Sequence, residues 1–189
     1  RSVGLPGNVG HLGICFGQLI TMDAPSVRPR GTSNWRSVLW HEFVHVISLQ
    51  KTNNRMPRWL SEGISVYEEA LYSSAFRNRL SKDFTPILKN EGVPKLADLD
   101  RLFTHAKSPT HLSFGYFMAG EFVQFYVDNY GFEALVKSLD EIGKGTDTVE
   151  SLCLVAKQPK SEIDKAFAKY METRLSPLDE IDEKGAFTL

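Results

Sequence analysis

The sequence predicts an α+β fold that is predominantly helical, with a small β-sheet near the N-terminus and a helical C-terminal half. Three observations predict it. Residues 12–23 mix β-branched and aromatic residues with glycines, which suits an extended strand or short hairpin and argues against a helix. From about residue 34 onward, apolar residues recur at three- and four-residue intervals in one segment after another. Glycines and prolines fall between those segments and mark their ends.

Each element follows in order. Residues 1–12 are rich in glycine and proline and read as irregular chain. After the strand region, Ala24-Pro25-Ser26 and Pro29-Arg30-Gly31 break the chain, and Thr32 or Ser33 can cap a helix running to about Gln50. Trp35, Val38, Leu39, Val46 and Leu49 mark its helical period. A polar loop, 51–57, ends in Pro57 and leads into a helix over about 58–72, with Trp59, Leu60, Ile64, Tyr67 and Leu71 at helical intervals.

Breaks at Pro86, Gly92-Val93-Pro94 and Ser108-Pro109 leave only short helices, at about 74–80 and 96–103. Residues 113–129 carry apolar side chains on more than one face (Phe114, Phe117, Met118, Phe122, Val123, Phe125, Tyr126), so this helix is expected to be buried nearly all round. Gly131 ends it. Helices at 132–142, 148–156 and 162–175 follow, the last capped by Ser161. Pro177 and an acidic cluster make 176–189 read as a tail or linker remnant.

These elements make one expected domain over 1–175, in three parts: a strand and loop region (1–33), two helices (34–72) and a helical remainder (73–175). The chain has 189 residues, 42% of them apolar, which is enough to offset the entropy of ordering it. With 22 basic and 23 acidic residues it carries no broad positive surface, so nucleic acid is not an expected partner. No apolar run approaches the roughly 18 residues of a membrane span. Cys15 and Cys153 each lie in an apolar stretch and read as small buried hydrophobes. The chain opens on Arg1 with no signal-peptide pattern, and we read it as a fragment whose targeting segment lies elsewhere.

The chemistry concentrates in His41-Glu42-Phe43-Val44-His45, inside the first long helix. Histidines four residues apart share one face of a helix and can reach one metal ion from the same side. Glu42 sits about 100° further round the helix, at 3.6 residues per turn. It therefore flanks such an ion and can take a proton from a water bound there. Three fixed residues arise by chance in roughly one chain per few hundred of this length, so context matters. Apolar residues on both sides (Val38, Leu39, Trp40; Val44, Val46, Ile47) would make idle histidines costly at this position.

A third ligand completes the set. In one arrangement of such helices a glycine three residues after the second histidine turns the chain towards a third histidine three further on. Here those positions are Ser48 and Lys51. A carboxylate on the following helix is another solution, and Glu62 follows His45 with sixteen residues (46–61) between them. Three protein ligands leave a fourth position for water on one Zn2+. Gly63 next to Glu62 would let the two helices approach closely. Glu68 and Glu69 are rival ligands, or residues outside the coordination shell.

His41 to His45, followed by Pro57-Arg58-Trp59-Leu60-Ser61-Glu62-Gly63-Ile64-Ser65-Val66-Tyr67-Glu68-Glu69, resembles the gluzincin zinc metallopeptidases, and most of all the peptidase-MA-like group. The core of the resemblance is residues 34–70, with a weaker likeness around Gly115-Tyr116, Asn129-Tyr130-Gly131 and the helix Phe167–Leu175. It implies a thermolysin-like zincin catalytic domain. It also implies a peptide or protein substrate whose backbone adds to a sheet edge near 12–23, and fusion to repeat or membrane-anchoring modules.

Two departures from the pattern stand out. Thermolysin has an aspartate four residues after its ligand glutamate, where this chain has Val66. The Gly-x-Met-Glu-Asn signature of the aminopeptidase-N-like branch is missing, which speaks against N-terminal trimming.

The expected activity is therefore zinc-dependent peptide hydrolysis, with His41, His45 and Glu62 holding the ion and Glu42 as general base. The alternatives are a non-catalytic zinc-bearing interaction domain and a zinc hydrolase of a non-peptide amide or ester. The resemblance also calls for a tyrosine or histidine that stabilises the oxyanion. Tyr116 is the first candidate, and His111 and His105 are the others. Glu121 needs a partner if buried: a zinc-ligating histidine, or an arginine or lysine. His11 is read as structural.

Overall fold

The structure, a computed structural model, describes residues 13–22, 24, 26, 34–73 and 80–184. Strands β1 (Gly13–Phe16) and β2 (Leu19–Met22) form an antiparallel hairpin in which Gly13 pairs with Met22 and Phe16 with Leu19. Gly17 turns it at φ +63°, a conformation that glycine adopts without steric cost. The predicted strand region is thus a hairpin, and it lies against the first helix.

That helix, α1 (Trp35–Lys51), is capped by Asn34, whose side-chain oxygen accepts from the Arg36 N–H at 3.1 Å. The expected caps Thr32 and Ser33 lie outside the described residues. The loop to the second helix contains Asn53 and Asn54, both at positive φ (52° and 57°), where asparagine is among the better tolerated residues. Asn53 Nδ2 and Arg55 both donate to the Gly143 carbonyl, tying this loop to a segment some ninety residues further along the chain. Helix α2 (Arg58–Tyr72) has the predicted boundaries, directly after Pro57.

Helix α3 (Thr85–Glu91) was not predicted: Pro86 opens it, at a first-turn position where a missing N–H costs nothing. The predicted 74–80 helix falls mostly on residues outside those described. The predicted 96–103 helix is two pieces, a 3-10 turn at Leu96–Asp98 and α4 (Arg101–Thr104). Helix α5 (Pro109–Tyr130) starts a turn earlier than the apolar pattern, with Ser108 accepting from the His111 N–H and Pro109 in the first turn. Then come α6 (Phe132–Lys144), α7 (Thr148–Ala156) and α8 (Lys160–Lys184). Helix α8 begins before Ser161 and continues past Pro177, beyond the expected end at 175.

The fold is α+β and mostly helical, with the core around α5. Phe114, Phe117, Met118, Phe122, Phe125 and Tyr126 are buried, as predicted for a helix apolar on all sides. Phe122 and Phe125 meet Phe167 of α8 at centroid distances of 5.2 and 5.4 Å. Helix α2 packs on α5 backbone to backbone: a Cβ at Gly63 would lie 2.7 Å from the Ala119 carbonyl oxygen, and one at Gly120 2.6 Å from Val66. The close approach at Gly63 is therefore to α5, not to α1 as predicted.

Helix α1 leaves Trp35, Leu39, Phe43 and Ile47 exposed along one row, and turns a polar row towards α2. Cys15 and Cys153 are free thiols and only half-buried, where full burial was expected. Among the described residues no helix is long and apolar enough to cross a membrane.

Candidate metal centre

Two polar rows face each other across the α1–α2 contact. Helix α1 contributes Ser37, His41, His45 and Ser48, spaced one turn apart. Helix α2 contributes Arg58, Glu62, Ser65 and Glu69 at the same kind of spacing, with Ser61 beside them. The rows meet at Glu62. Its Oε2 lies 3.1 Å from His41 Nε2 and 3.4 Å from His45 Nε2. The two imidazole rings stand edge to face with centroids 4.7 Å apart.

One ligand atom from each of these three residues lies within 4.8 Å of the other two, so the group can hold a metal ion. In a tetrahedral zinc site with bonds of about 2.0–2.1 Å, neighbouring donors are about 3.3 Å apart. Two of the contacts here are already close to that spacing. Two imidazoles and one carboxylate are also the donor chemistry that zinc accepts. The predicted set His41, His45 and Glu62 is thus brought together, and it fits the ion.

The remaining atoms of these side chains are also engaged. Ligation through Nε2 requires the proton on Nδ1, and both rings have a partner there. His41 Nδ1 faces Glu69 Oε2 at 3.3 Å, and His45 Nδ1 faces Ser61 Oγ at 2.8 Å and Ser65 Oγ at 3.3 Å. Ser65 Oγ also reaches the His41 carbonyl at 3.2 Å, and Ser37 donates to the second oxygen of Glu69. Arg58 Nε donates to Glu62 Oε1 at 3.3 Å, which leaves Oε2 facing the histidines.

Electrostatics follow from this packing. Burial works to lower the His41 pKa, but the hydrogen bonds to Glu62 and Glu69 outweigh it and raise the pKa to about 10. Burial works to raise the Glu62 pKa, and hydrogen bonds from His41 and His45 instead hold it well below the usual carboxylate range.

Glu42 projects from the side of α1 under the hairpin. A Cβ at Gly13 would lie 2.9 Å from Glu42 Cγ, so the glycine lets β1 pass directly over this buried carboxylate. Tyr116 stands beside Arg58. Its hydroxyl accepts from Arg58 Nη2 at 3.5 Å, and its ring meets Phe103 at 5.2 Å. Burial first, and then the charge of Glu62, push the Tyr116 pKa up, so the hydroxyl stays a neutral donor.

The other candidates stand apart from this group. His111 is buried but held by Glu91 at 3.3 Å and by the Lys107 N–H at 3.1 Å. His105 is exposed and bonded to Thr104. Glu121 accepts from two guanidinium nitrogens of Arg174, Nε at 2.8 Å and Nη2 at 2.6 Å, and from Tyr170, so its partner is the arginine rather than a histidine. Glu68 is half-buried, and burial raises its pKa. Glu69 faces His41 from the side away from Glu62, so it is not a rival ligand of this group. His11 lies outside the described residues.

Sequence reasoning missed Arg58, Ser61, Ser65 and Ser37. For Arg58, Ser65 and Ser37 the signal was the period, polar residues recurring one turn apart with Glu62 and with His41, while Ser61 is simply the neighbour of Glu62.

A family model described as peptidase MA superfamily matches residues 19–171, which is most of the chain. No curated protein and no solved structure matches it.

Proposed function

The chain belongs to the peptidase MA superfamily, and from that premise we propose that it is a gluzincin-type zinc peptidase hydrolysing peptide bonds, with Glu42 as general base. The observation that carries this reading is the convergence of His41 Nε2 and His45 Nε2 on one oxygen of Glu62, at 3.1 and 3.4 Å. Zinc ligation alone has no use for Glu42, a buried carboxylate on the helix that carries both histidines.

His41, His45 and Glu62 would hold the zinc ion, which would supply Lewis acidity towards the scissile carbonyl and lower the pKa of a water to near 7. The residues of the chain do the rest. Glu42 takes the proton from the attacking water as the new C–O bond forms. Tyr116 donates its hydroxyl hydrogen bond to the oxygen on which negative charge develops. Glu42 then hands its proton to the departing nitrogen as the C–N bond breaks, which returns it to the carboxylate. Arg58 holds both Glu62 and Tyr116, and so keeps a ligand and an oxyanion donor in register. A substrate strand added to the edge of the hairpin would run past Glu42, because β1 crosses that carboxylate at Gly13.

The test is a peptide-library digest with the purified chain, with and without a chelator, alongside elemental analysis. We expect one zinc per chain and cleavage that is lost with chelation. Glu42→Gln should keep the zinc and lose cleavage. Zinc with no cleavage of any peptide by the native chain would sink the peptidase reading and leave an interaction domain or a hydrolase of other amides and esters.

A further inference from the structure

An imidazole free to rotate about its bonds samples many orientations and only a few suit ligation, so the ring of His41 needs a partner at the nitrogen that faces away from Glu62. The structure assigns this task to Glu69, as the residue that positions His41 for the metal. The inference rests on the metal reading of His41, His45 and Glu62 and adds a residue to it.

Four observations carry the assignment. First, Glu69 Oε2 lies 3.3 Å from His41 Nδ1 while Glu62 Oε2 lies 3.1 Å from Nε2 of the same ring. The two ring nitrogens point in diverging directions, so one carboxylate can be a ligand and the other can only accept the Nδ1 proton. Second, the contact is shielded: the side chains of His41 and Glu69 are 17% and 15% exposed, so water screens it weakly.

Third, Glu69 is itself held, since Ser37, one turn before His41 on α1, donates to its other oxygen. Fourth, Glu69 is two turns after Glu62 on α2, so the same rigid helix sets ligand and support at once. A carboxylate accepting from Nδ1 also makes Nε2 a stronger donor to a cation, because the imidazole gains electron density.

The test measures zinc affinity by competition with a chromophoric chelator, on the native chain, Glu69→Ala, Glu69→Gln and Ser37→Ala. Circular dichroism of each metal-free protein reports its fold. The native chain should bind one zinc. Glu69→Ala should bind it roughly 10- to 100-fold more weakly with its fold unchanged, the range for removing such a support. Glu69→Gln keeps an acceptor but not the charge, and should weaken binding less than alanine does. Ser37→Ala should weaken it least.

A positioning role, unlike a purely structural one, moves the affinity of protein that is fully folded. Should Glu69→Ala fail to fold, Glu69→Gln and Ser37→Ala decide, and native affinity in both overturns the assignment. Native affinity in a folded Glu69→Ala overturns it as well. A native chain that binds no zinc overturns the metal reading itself, so the two failures are told apart.

Discussion

Gly63 meets Ala119 backbone to backbone: a Cβ on Gly63 would stand 2.7 Å from the Ala119 carbonyl oxygen and 2.9 Å from its carbon. This contact seats α2 on α5, the helix around which the core packs, and Glu62 is the residue just before it. The carboxylate that meets both histidines is thus anchored from behind by a helix that contributes no ligand.

Gly63→Ala tests that anchoring. Alanine is favoured over glycine inside a helix by about 1 kcal/mol. Overpacking against a rigid neighbour costs about 1–3 kcal/mol, and a backbone carbonyl cannot rotate away as a side-chain tip can. The clash should win, with a net loss of up to roughly 2 kcal/mol and a fall in Tm of about 2–4 °C for each kcal/mol lost. Thermal unfolding followed by circular dichroism reads it. A variant as stable as the native chain would mean that the two helices are not seated through Gly63.

Arg58 and Glu62 give the second prediction. Glu62→Ala removes the oxygen on which both imidazoles converge and should leave no zinc after dialysis at neutral pH. Arg58→Met keeps all three ligands but takes the donor from Glu62 Oε1. It should retain one zinc per chain, with affinity weakened about tenfold. Elemental analysis and chelator competition separate the two outcomes. Full zinc in Glu62→Ala would refute the ligand assignment.

The group that could hold a metal ion was legible in the sequence because helix period narrows it: His41 and His45 need only one helix, and Glu62 needs only a second one folded back. The residues that hold them were not. Ser61, Ser65 and Glu69 matter through atoms on the far sides of the imidazole rings, and which atom faces which cannot be read from spacing alone. The polar row 58–62–65–69, one turn apart along the helix, was the available clue.

Pro86 and Pro109 misled for a different reason. Proline ends a helix in its interior but opens one in its first turn, and local composition does not distinguish the two. Gly63 was read correctly as a close approach and assigned to the wrong partner. A missing side chain signals proximity without naming the neighbour.

The His41–Glu62 pair predicts how the metal-free protein responds to pH. His41 has a folded pKa of about 10, raised above the unfolded value of about 6.5. Its contribution to stability is therefore complete below pH 6.5 and is lost as pH rises through 10. Glu62 is depressed, so its contribution is present above about pH 4.5 and is lost as pH falls below that. The pair is thus fully stabilising only between roughly pH 4.5 and 6.5. Urea midpoints of the metal-free chain should fall from pH 6 to pH 10, and the fall should be smaller in His41→Asn. Equal falls in both would show that His41 is not the titrating group.

Glu121 and Arg174 make the last prediction, and it bears on stability rather than chemistry. Glu121 is 8% exposed, and both its oxygens accept from Arg174, which is 35% exposed. Removing one partner of a buried pair leaves a charge uncompensated, at a cost of about 3–5 kcal/mol. Arg174→Met should fall near the lower end, because the guanidinium is partly in water and Tyr170 still donates to Glu121 at 2.9 Å.

Replacing both residues, as Glu121→Leu with Arg174→Leu, should recover much of the loss, since no isolated charge remains in the helix contact. Zinc affinity should be native in every variant that folds, because this pair touches none of the three ligands. Urea denaturation gives the stabilities and a chelator competition the affinities. A double variant less stable than Arg174→Met alone would show that the pair contributes more than mutual neutralisation, and a shift in zinc affinity would tie Glu121 to the metal site after all.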